Sequence, residues 1–429
     1  MSSEIAKVIG RRLWDSRGRP TIEAEVHLVG GAIGRAMAPA GASTGSAEAV
    51  DKRDGGNAFG GFDVTQGVAA VNGEISDALT NLDAKDQETA DQALIDLDGT
   101  PNKSRLGGNA IIATSMAIAH AAAAQAGQPL WRYLGEDRSD FFLPLPEIQI
   151  FGGGAHAGRR VDVQDFMAIA IGASTYEQAL EWTAEVYLAA GKIMRDQRLF
   201  QGVADEGGYW PAFNSNEQAL DFLVRAIEGA GFVPGQDIAI SLDIAATDFG
   251  ENGAYKLSAD GKTVDSDGLS EMLLGWLERY PIVAIEDPLG EDDPDAMAAF
   301  TKAVGDNVEV IADDFICTAA ERIEAASGIG ACNTALIKPN QAGTLSESKA
   351  ALAAAHNVGW ECIVSARSGE TEDVTIVHLA VGWGVKQLKV GSFARSERMA
   401  KWNEGLRIAE SLGQAGGVLA PANSFPWHN

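Results

Sequence analysis

The chain shows its first clear pattern as an alternation. Ile22, Ala24, Val26 and Leu28 share one face of an extended segment, while Glu23, Glu25 and His27 share the other. That alternation predicts a strand with one apolar face. Gly30-Gly31 then predicts a hairpin turn, with a second short strand ending near Pro39. From about Asn109 to Gln125 the spacing becomes helical. Ile112, Met116 and Ala119 fall on one face, Asn109 is placed to cap the start, and Gly127-Gln128-Pro129 ends the run. Residues 1–136 therefore read as an antiparallel meander followed by helices, an α+β domain that closes at Gly135-Glu136-Asp137-Arg138, shortly before Pro144 and Pro146.

Residues 137–429 have another rhythm. Short apolar strands end in a polar or charged residue and are followed by helical stretches: Ile238 to Leu242 before Asp243, Pro281 to Ile285 before Glu286, Val308 to Ala312 before Asp313, Thr334 to Ile337 before Lys338, Cys362 to Ser365 before Arg367 and Ser368, and Val385 to Leu388 before Lys389. The steps between Asp243, Glu286, Asp313, Lys338, Arg367 and Lys389 are 43, 27, 25, 29 and 22 residues. Repeated strand–helix units of this size predict a parallel sheet with crossover helices, and about eight of them close a barrel. A doubly wound open sheet gives similar spacing but does not place charges at so many successive strand ends.

Composition narrows the function. Asp and Glu number 60 against 33 Lys and Arg, a formal net charge of −27. That excess argues against a nucleic-acid binder and against an anionic membrane surface. With 46% hydrophobic and 22% charged residues the chain is globular, not an acidic disordered tail. Cys317, Cys332 and Cys362 are odd in number and lack metal or disulfide spacing. Together with Met1-Ser2-Ser3-Glu4, which lacks a basic stretch leading into an apolar one, they make a reducing cytoplasm the expected location.

The strand ends carry the chemistry. Asp243, Glu286 and Asp313 converge if the strands form a barrel, and three like charges repel strongly unless a cation lies between them. Carboxylates without His or Cys suit Mg2+. Any one of these residues alone would more often cap the following helix. If Lys338 and Lys389 point into the same mouth they are not ordinary surface lysines, and they serve either as salt-bridge partners or, near a metal and away from water, as amines of lowered pKa able to act as a base. Arg367 and Ser368 offer a fork of donors and a hydroxyl, an anion clamp. Gly41-Ala42-Ser43-Thr44-Gly45 fits a nucleophile-elbow pattern, but Pro39 and the lack of a buried strand into it favour a mobile loop presenting Ser43 to a metal or anion. Gly152-Gly153-Gly154-Ala155-His156, followed by Arg159-Arg160, reads as an anion-facing lid.

Taken together, these stretches resemble the enolase family. The resemblance runs through Asp15-Ser16-Arg17-Gly18, Gly41 to Gly45, Gly153 to His156, Asp205-Glu206-Gly207-Gly208, Ile285-Glu286-Asp287-Pro288, Asp313-Asp314, Leu336-Ile337-Lys338, Arg367 to Asp373 and Arg395-Ser396-Glu397-Arg398. It implies an α/β architecture: a small N-terminal α+β capping domain, residues 1–136, followed by a modified eight-stranded, TIM-like enolase barrel, residues 137–429. It implies a hydro-lyase with two Mg2+ ions per site, acting on a small anionic substrate, in a homo-oligomer that is at least a dimer. By resemblance Asp243, Glu286 and Asp313 hold the first metal and Ser43 the second. Lys338 is the base at C2, Glu206 the acid at the C3 hydroxyl, and Lys389 contacts the substrate carboxylate. Arg367 and Ser368 clamp the phosphate, and His156 closes over it.

Three positions depart from the family pattern. Ala366 stands where enolases carry His, Asp165 where they carry Glu, and Arg159-Arg160 where they usually have paired Asn. All lie on the phosphate and leaving-group side. Lost imidazole volume, a carboxylate withdrawn by one methylene and two added cations suit a larger and more anionic group than phosphate. The substitutions resemble those expected of the carboxyphosphonoenolpyruvate synthase group of phosphinate antibiotic biosynthesis, with Asp165 and His156 in the catalytic set and Arg159 and Arg160 toward substrate. A glycolytic enolase acting on 2-phosphoglycerate and a non-catalytic protein on the same scaffold are the alternatives.

Overall fold

The structure is a computed structural model that describes residues 2–428. Strands β1 (Ile5–Trp14), β2 (Pro20–Leu28) and β3 (Ile33–Met37) form the expected antiparallel meander. Ile22, Ala24 and Val26 are fully buried on its inner face. The outer face is not left to water. Arg11 and Arg35 lie across Glu25 at 3.0 and 2.8 Å, and Glu23 and Glu25 are themselves buried. Helix α1 (Gly108–Ala126) covers the inner face.

Helix α1 corrects two expectations. Its N-cap is Gly107, while the Asn109 side chain donates to Asp51 Oδ1 at 2.8 Å and to the Lys52 carbonyl at 3.0 Å. It is also buried around most of its circumference rather than along one stripe. The reason is its position between the meander and the second half of the chain. Helices α2 (Leu345–Asn357) and α3 (Thr375–Trp383) send Leu345 and Leu379 into the same core. Gly127, left-handed at φ +66°, ends α1 as the sequence indicates.

Strands β4 (Leu145–Gly152), β5 (Asp165–Ile169), β6 (Ala239–Asp243), β7 (Ile282–Glu286), β8 (Glu309–Ala312), β9 (Thr334–Ile337), β10 (Glu361–Ser365) and β11 (Gln387–Gly391) pair in that order. The pairing of β11 with β4 closes the barrel. Closure excludes the open doubly wound sheet. The six strands read from the sequence are β6 to β11. The first two were not evident, and β5 runs antiparallel to both its neighbours. Only a glycine-rich loop with one 3-10 turn links β4 to β5, and without a crossover helix the chain returns antiparallel. Ala284, Ile311, Leu336 and Ile363 form an apolar layer inside the barrel. The three cysteines are buried and unpaired. Among the described residues no helix is long and apolar enough to cross a membrane.

Gly34 shows how tightly the small domain is packed. A Cβ there would lie 2.1 Å from the Ala121 nitrogen and 2.2 Å from the Ala117 carbonyl oxygen of α1. Gly34→Ala must push helix from sheet, and we expect ~1–3 kcal/mol of destabilisation, read as a lower urea midpoint.

Candidate active site

Asp243 and Glu286 are the last residues of β6 and β7. Asp313 and Lys338 directly follow β8 and β9, and Lys389 lies in β11. The barrel turns these scattered positions into neighbours at one end, where such folds place their sites. All five are buried. Their cleft is lined by five carboxylates, Glu206, Asp243, Asp287, Asp313 and Asp314, against the fixed cations Lys338, Arg367 and Lys389.

Lys389 is the hub of the cluster. Its Nζ donates to Asp243 Oδ2 at 2.8 Å and to Glu286 Oε2 at 2.6 Å, and lies 3.8 Å from Asp165 Oδ2. Lys338 donates to Asp313 Oδ2, and Gln341 donates to the other oxygen at 2.8 Å. Burial alone would lower both lysines. For Lys338 the charges of Asp313 and Glu286 outweigh it, and for Lys389 those of Asp243 and Glu286 do, so both are held above the ordinary range. The lowered amine pKa expected for a base is therefore not what these carboxylates alone produce. Opposing charge on the carboxylates would be needed first.

The donor type suits a hard divalent cation, while the carboxyl oxygens that gather within 4.8 Å of one another are those of Asp287, Asp313 and Asp314. Asp243, Glu286 and Asp313 present only oxygen, and Glu286 Oε1 is buried without a hydrogen-bond partner. Burial and the charge of Asp243 push the Glu286 carboxyl well up, a cost that a cation would relieve. Asp287 and Asp314 also crowd Asp313. Asp287 plays a different part, since its two oxygens accept the Asp313 and Asp314 amides, both at 2.9 Å. It does so from a left-handed backbone, φ +41°. The two amide contacts hold this strained turn and place Asp313 after it.

His156 and Glu206 line the other side of the cleft, and Asp165 is wholly buried next to them. His156 Nδ1 is 3.6 Å from Asp165 Oδ1 and 3.9 Å from Glu206 Oε1, ion-pair distances too long for hydrogen bonds. Burial disfavours the imidazolium, yet the charges of Glu206 and Asp165 raise its pKa to about 9. Asp165 is wholly buried, and that alone would raise it. His156 and Lys389 reverse the effect and hold it below the carboxylate range. Glu206 is raised, by burial first and then by the charge of Asp165. The two carboxyls are thus pushed apart, one toward an anion and one toward an acid.

The loops contribute unequally. Ser43 lines the cleft, and its hydroxyl donates to Asp248 Oδ1 at 3.1 Å. Arg367 is buried with its fork on Glu48, at 3.0 and 3.1 Å, and it also reaches Asn340 Oδ1 at 3.1 Å. Ser368 lines the cleft beside it, and Ala366 brings only a methyl group to the wall. Arg159 does not line the cleft. It is largely exposed and donates to the Asp248 carbonyl at 3.0 Å, next to the contact of Ser43. Arg160 turns to Asn214 Oδ1 at 3.0 Å, away from the mouth.

Several residues here were not singled out in the sequence. Glu48 and Asn340 hold Arg367, Gln164 donates to Asp243 Oδ2 at 2.9 Å, and Gln149 donates to Asp165 Oδ1. Asp287 and Asp314 sit beside assigned residues, and their acidity was the available signal. Gln149 would have followed from inward parity on β4, had that strand been recognised.

The family described as Enolase, N-terminal domain matches residues 5–134, and that described as Enolase, C-terminal TIM barrel domain matches residues 140–423.

Two outcomes follow from the electrostatics. Lys389→Met leaves Asp243 and Glu286 buried without their shared ammonium, and we expect ~3–5 kcal/mol lower stability in urea without Mg2+. His156 has its pKa raised from 6.5 to about 9 by folding, so its stabilising contribution is complete below pH 6.5 and lost as pH rises through 9. The stability gap between the parent and His156→Gln, measured without metal, should shrink across that interval. A gap that widens would contradict the assignment.

Proposed function

The chain belongs to the enolase family, and on that premise we propose that this magnesium-dependent lyase removes water from carboxyphosphonoglycerate to give carboxyphosphonoenolpyruvate. The observation that carries the choice of substrate is Ala366. It lines the cleft beside Arg367 and Ser368 with a single methyl group, where a larger side chain would take up space next to the anion clamp. Arg159, tied to Asp248 at the rim, supplies a nearby cation for the added carboxyl group. The glycolytic reaction on 2-phosphoglycerate is the second reading. It is favoured by Lys338, Glu206, Arg367 and Ser368 lining one cleft.

In the proposed reaction Lys338 takes the proton from C2 as the neutral amine, a state that needs opposing charge on Asp313 and Glu286 first. Glu206, its pKa raised by burial and then by the charge of Asp165, gives a proton to the C3 hydroxyl as the carbon–oxygen bond breaks. Water leaves, and the electron pair from the C2–H bond becomes the C2–C3 double bond. Asp165 remains an anion between His156 and Lys389, and Lys389 holds the substrate carboxylate. Asp243, Glu286 and Asp313 would hold one magnesium ion and Ser43 would serve a second, and the bound metal supplies positive charge against the anion that develops next to the carboxylate. Residues 1–136 serve as the capping domain and 137–429 as the catalytic one.

A coupled assay with Mg2+ on 2-phosphoglycerate and on the carboxyphosphono analogue decides between the readings. Turnover on the analogue with little on 2-phosphoglycerate is expected. Full turnover on 2-phosphoglycerate would move the assignment to the glycolytic reaction. No turnover on either, with no Mg2+ bound by calorimetry, would leave only a non-catalytic role. Lys338→Ala should abolish exchange of the C2 proton with solvent while leaving Mg2+ binding largely intact. Undiminished exchange would exclude Lys338 as the base.

A further inference from the structure

Buried against Asp165 is a side chain that the reaction above does not use. Gln149 is wholly buried, on β4. Its Nε2 donates to Asp165 Oδ1, and its Oε1 accepts from the Gly208 backbone N–H at 2.8 Å. The contact with Gly208 is close by construction: a Cβ at that glycine would lie 2.5 Å from Gln149 Oε1. Gly208 is two residues after Glu206. One amide thus spans the strand that carries Asp165 and the loop that carries the acid.

The direction of this amide is fixed by chemistry. A backbone N–H can only donate, so the atom facing Gly208 must be the oxygen. The nitrogen must then face Asp165, and the oxygen it meets must accept. A second tie acts on the same loop from the other side, where the Ser392 N–H donates to the Glu206 carbonyl at 2.8 Å. Neither tie touches Lys338 or the Asp243, Glu286 and Asp313 group.

We propose that Gln149 is a positioning residue that clamps the Asp165 carboxylate to the Glu206 loop and so holds the leaving-group half of the site in register. The inference rests on the lyase reading above for its catalytic consequence, but the clamp itself is a property of the substrate-free protein. It predicts a split between the two halves of the reaction. Proton removal at C2 belongs to Lys338 and is left alone, whereas departure of the C3 hydroxyl depends on the clamp.

Two variants separate the ends of the amide. Gln149→Glu keeps an acceptor for Gly208 but turns a second carboxyl oxygen toward Asp165. Gln149→Met keeps similar length and loses both hydrogen bonds. Amide hydrogen exchange on the substrate-free full chain reads the first end. Gly208 should exchange at least about 10-fold faster in Gln149→Met and stay protected in Gln149→Glu. Unchanged protection in Gln149→Met, with the fold intact by circular dichroism, would overturn the clamp whatever the substrate is. Kinetics read the second end. In Gln149→Glu, dehydration should fall about 100-fold while solvent exchange of the C2 proton changes less than about threefold. Equal losses in both steps would make Gln149 merely structural and overturn the positioning role. Absence of both steps in the parent would instead sink the lyase reading and leave the exchange result to decide the clamp.

Discussion

Asp243, Glu286 and Asp313 are held at one end of a barrel, with Asp287, Asp314, Asp165 and Glu206 around them, all buried. So many carboxylates in a space poor in water repel one another, and the arrangement persists because cations are threaded between them. Lys389 bridges Asp243 and Glu286, Lys338 meets Asp313, and His156 faces Asp165 and Glu206. The same crowding raises some acids and lowers others. It gives one carboxyl the character of an acid and its neighbour that of an anion.

Everything else in the fold serves to keep those groups in place. Barrel closure through β11 and β4 brings Lys389 round to the carboxylates of β6 and β7. The left-handed turn at Asp287, held by its contact with the Asp313 amide, places Asp313. The antiparallel return of β5 sets Asp165 opposite Asp243 in register. The small domain adds its loop from Gly41 to Ser46, which is fastened over the mouth through Arg367, Asp248 and Glu291. That loop is held by polar contacts, while the two apolar cores meet through α1, Leu345 and Leu379.

The charge of −27 takes on meaning against this background. Part of the acid excess is drawn into the site. The substrate of an enolase-type lyase is itself an anion, so the local field at the mouth must oppose that of the molecule. Lys389, Lys338 and Arg367 supply fixed charge there, and a bound cation adds to it. The arginines at 159 and 160 separate in space despite being adjacent in sequence. One joins the rim at Asp248, and the other joins Asn214. Neither lines the cleft, so following the glycine-rich loop in sequence did not by itself bring them into it.

Sequence by itself determined the strand ends. Apolar runs of a few residues ending in Asp, Glu or Lys are a local pattern, and their spacing fixes a repeated strand–helix unit without knowledge of distant contacts. It determined the meander and the stop at Gly127 for the same reason. The tertiary structure alone decided which strand runs backwards, because direction follows from the missing crossover helix between β4 and β5. It alone decided that α1 is buried nearly all round, because the second layer comes from residues more than two hundred positions later. It also decided the partners of each charge. Whether Lys338 pairs with Asp313, or Gln149 with Asp165 and Gly208, depends on ångström distances between strands, and a single chain read in order contains no such distances.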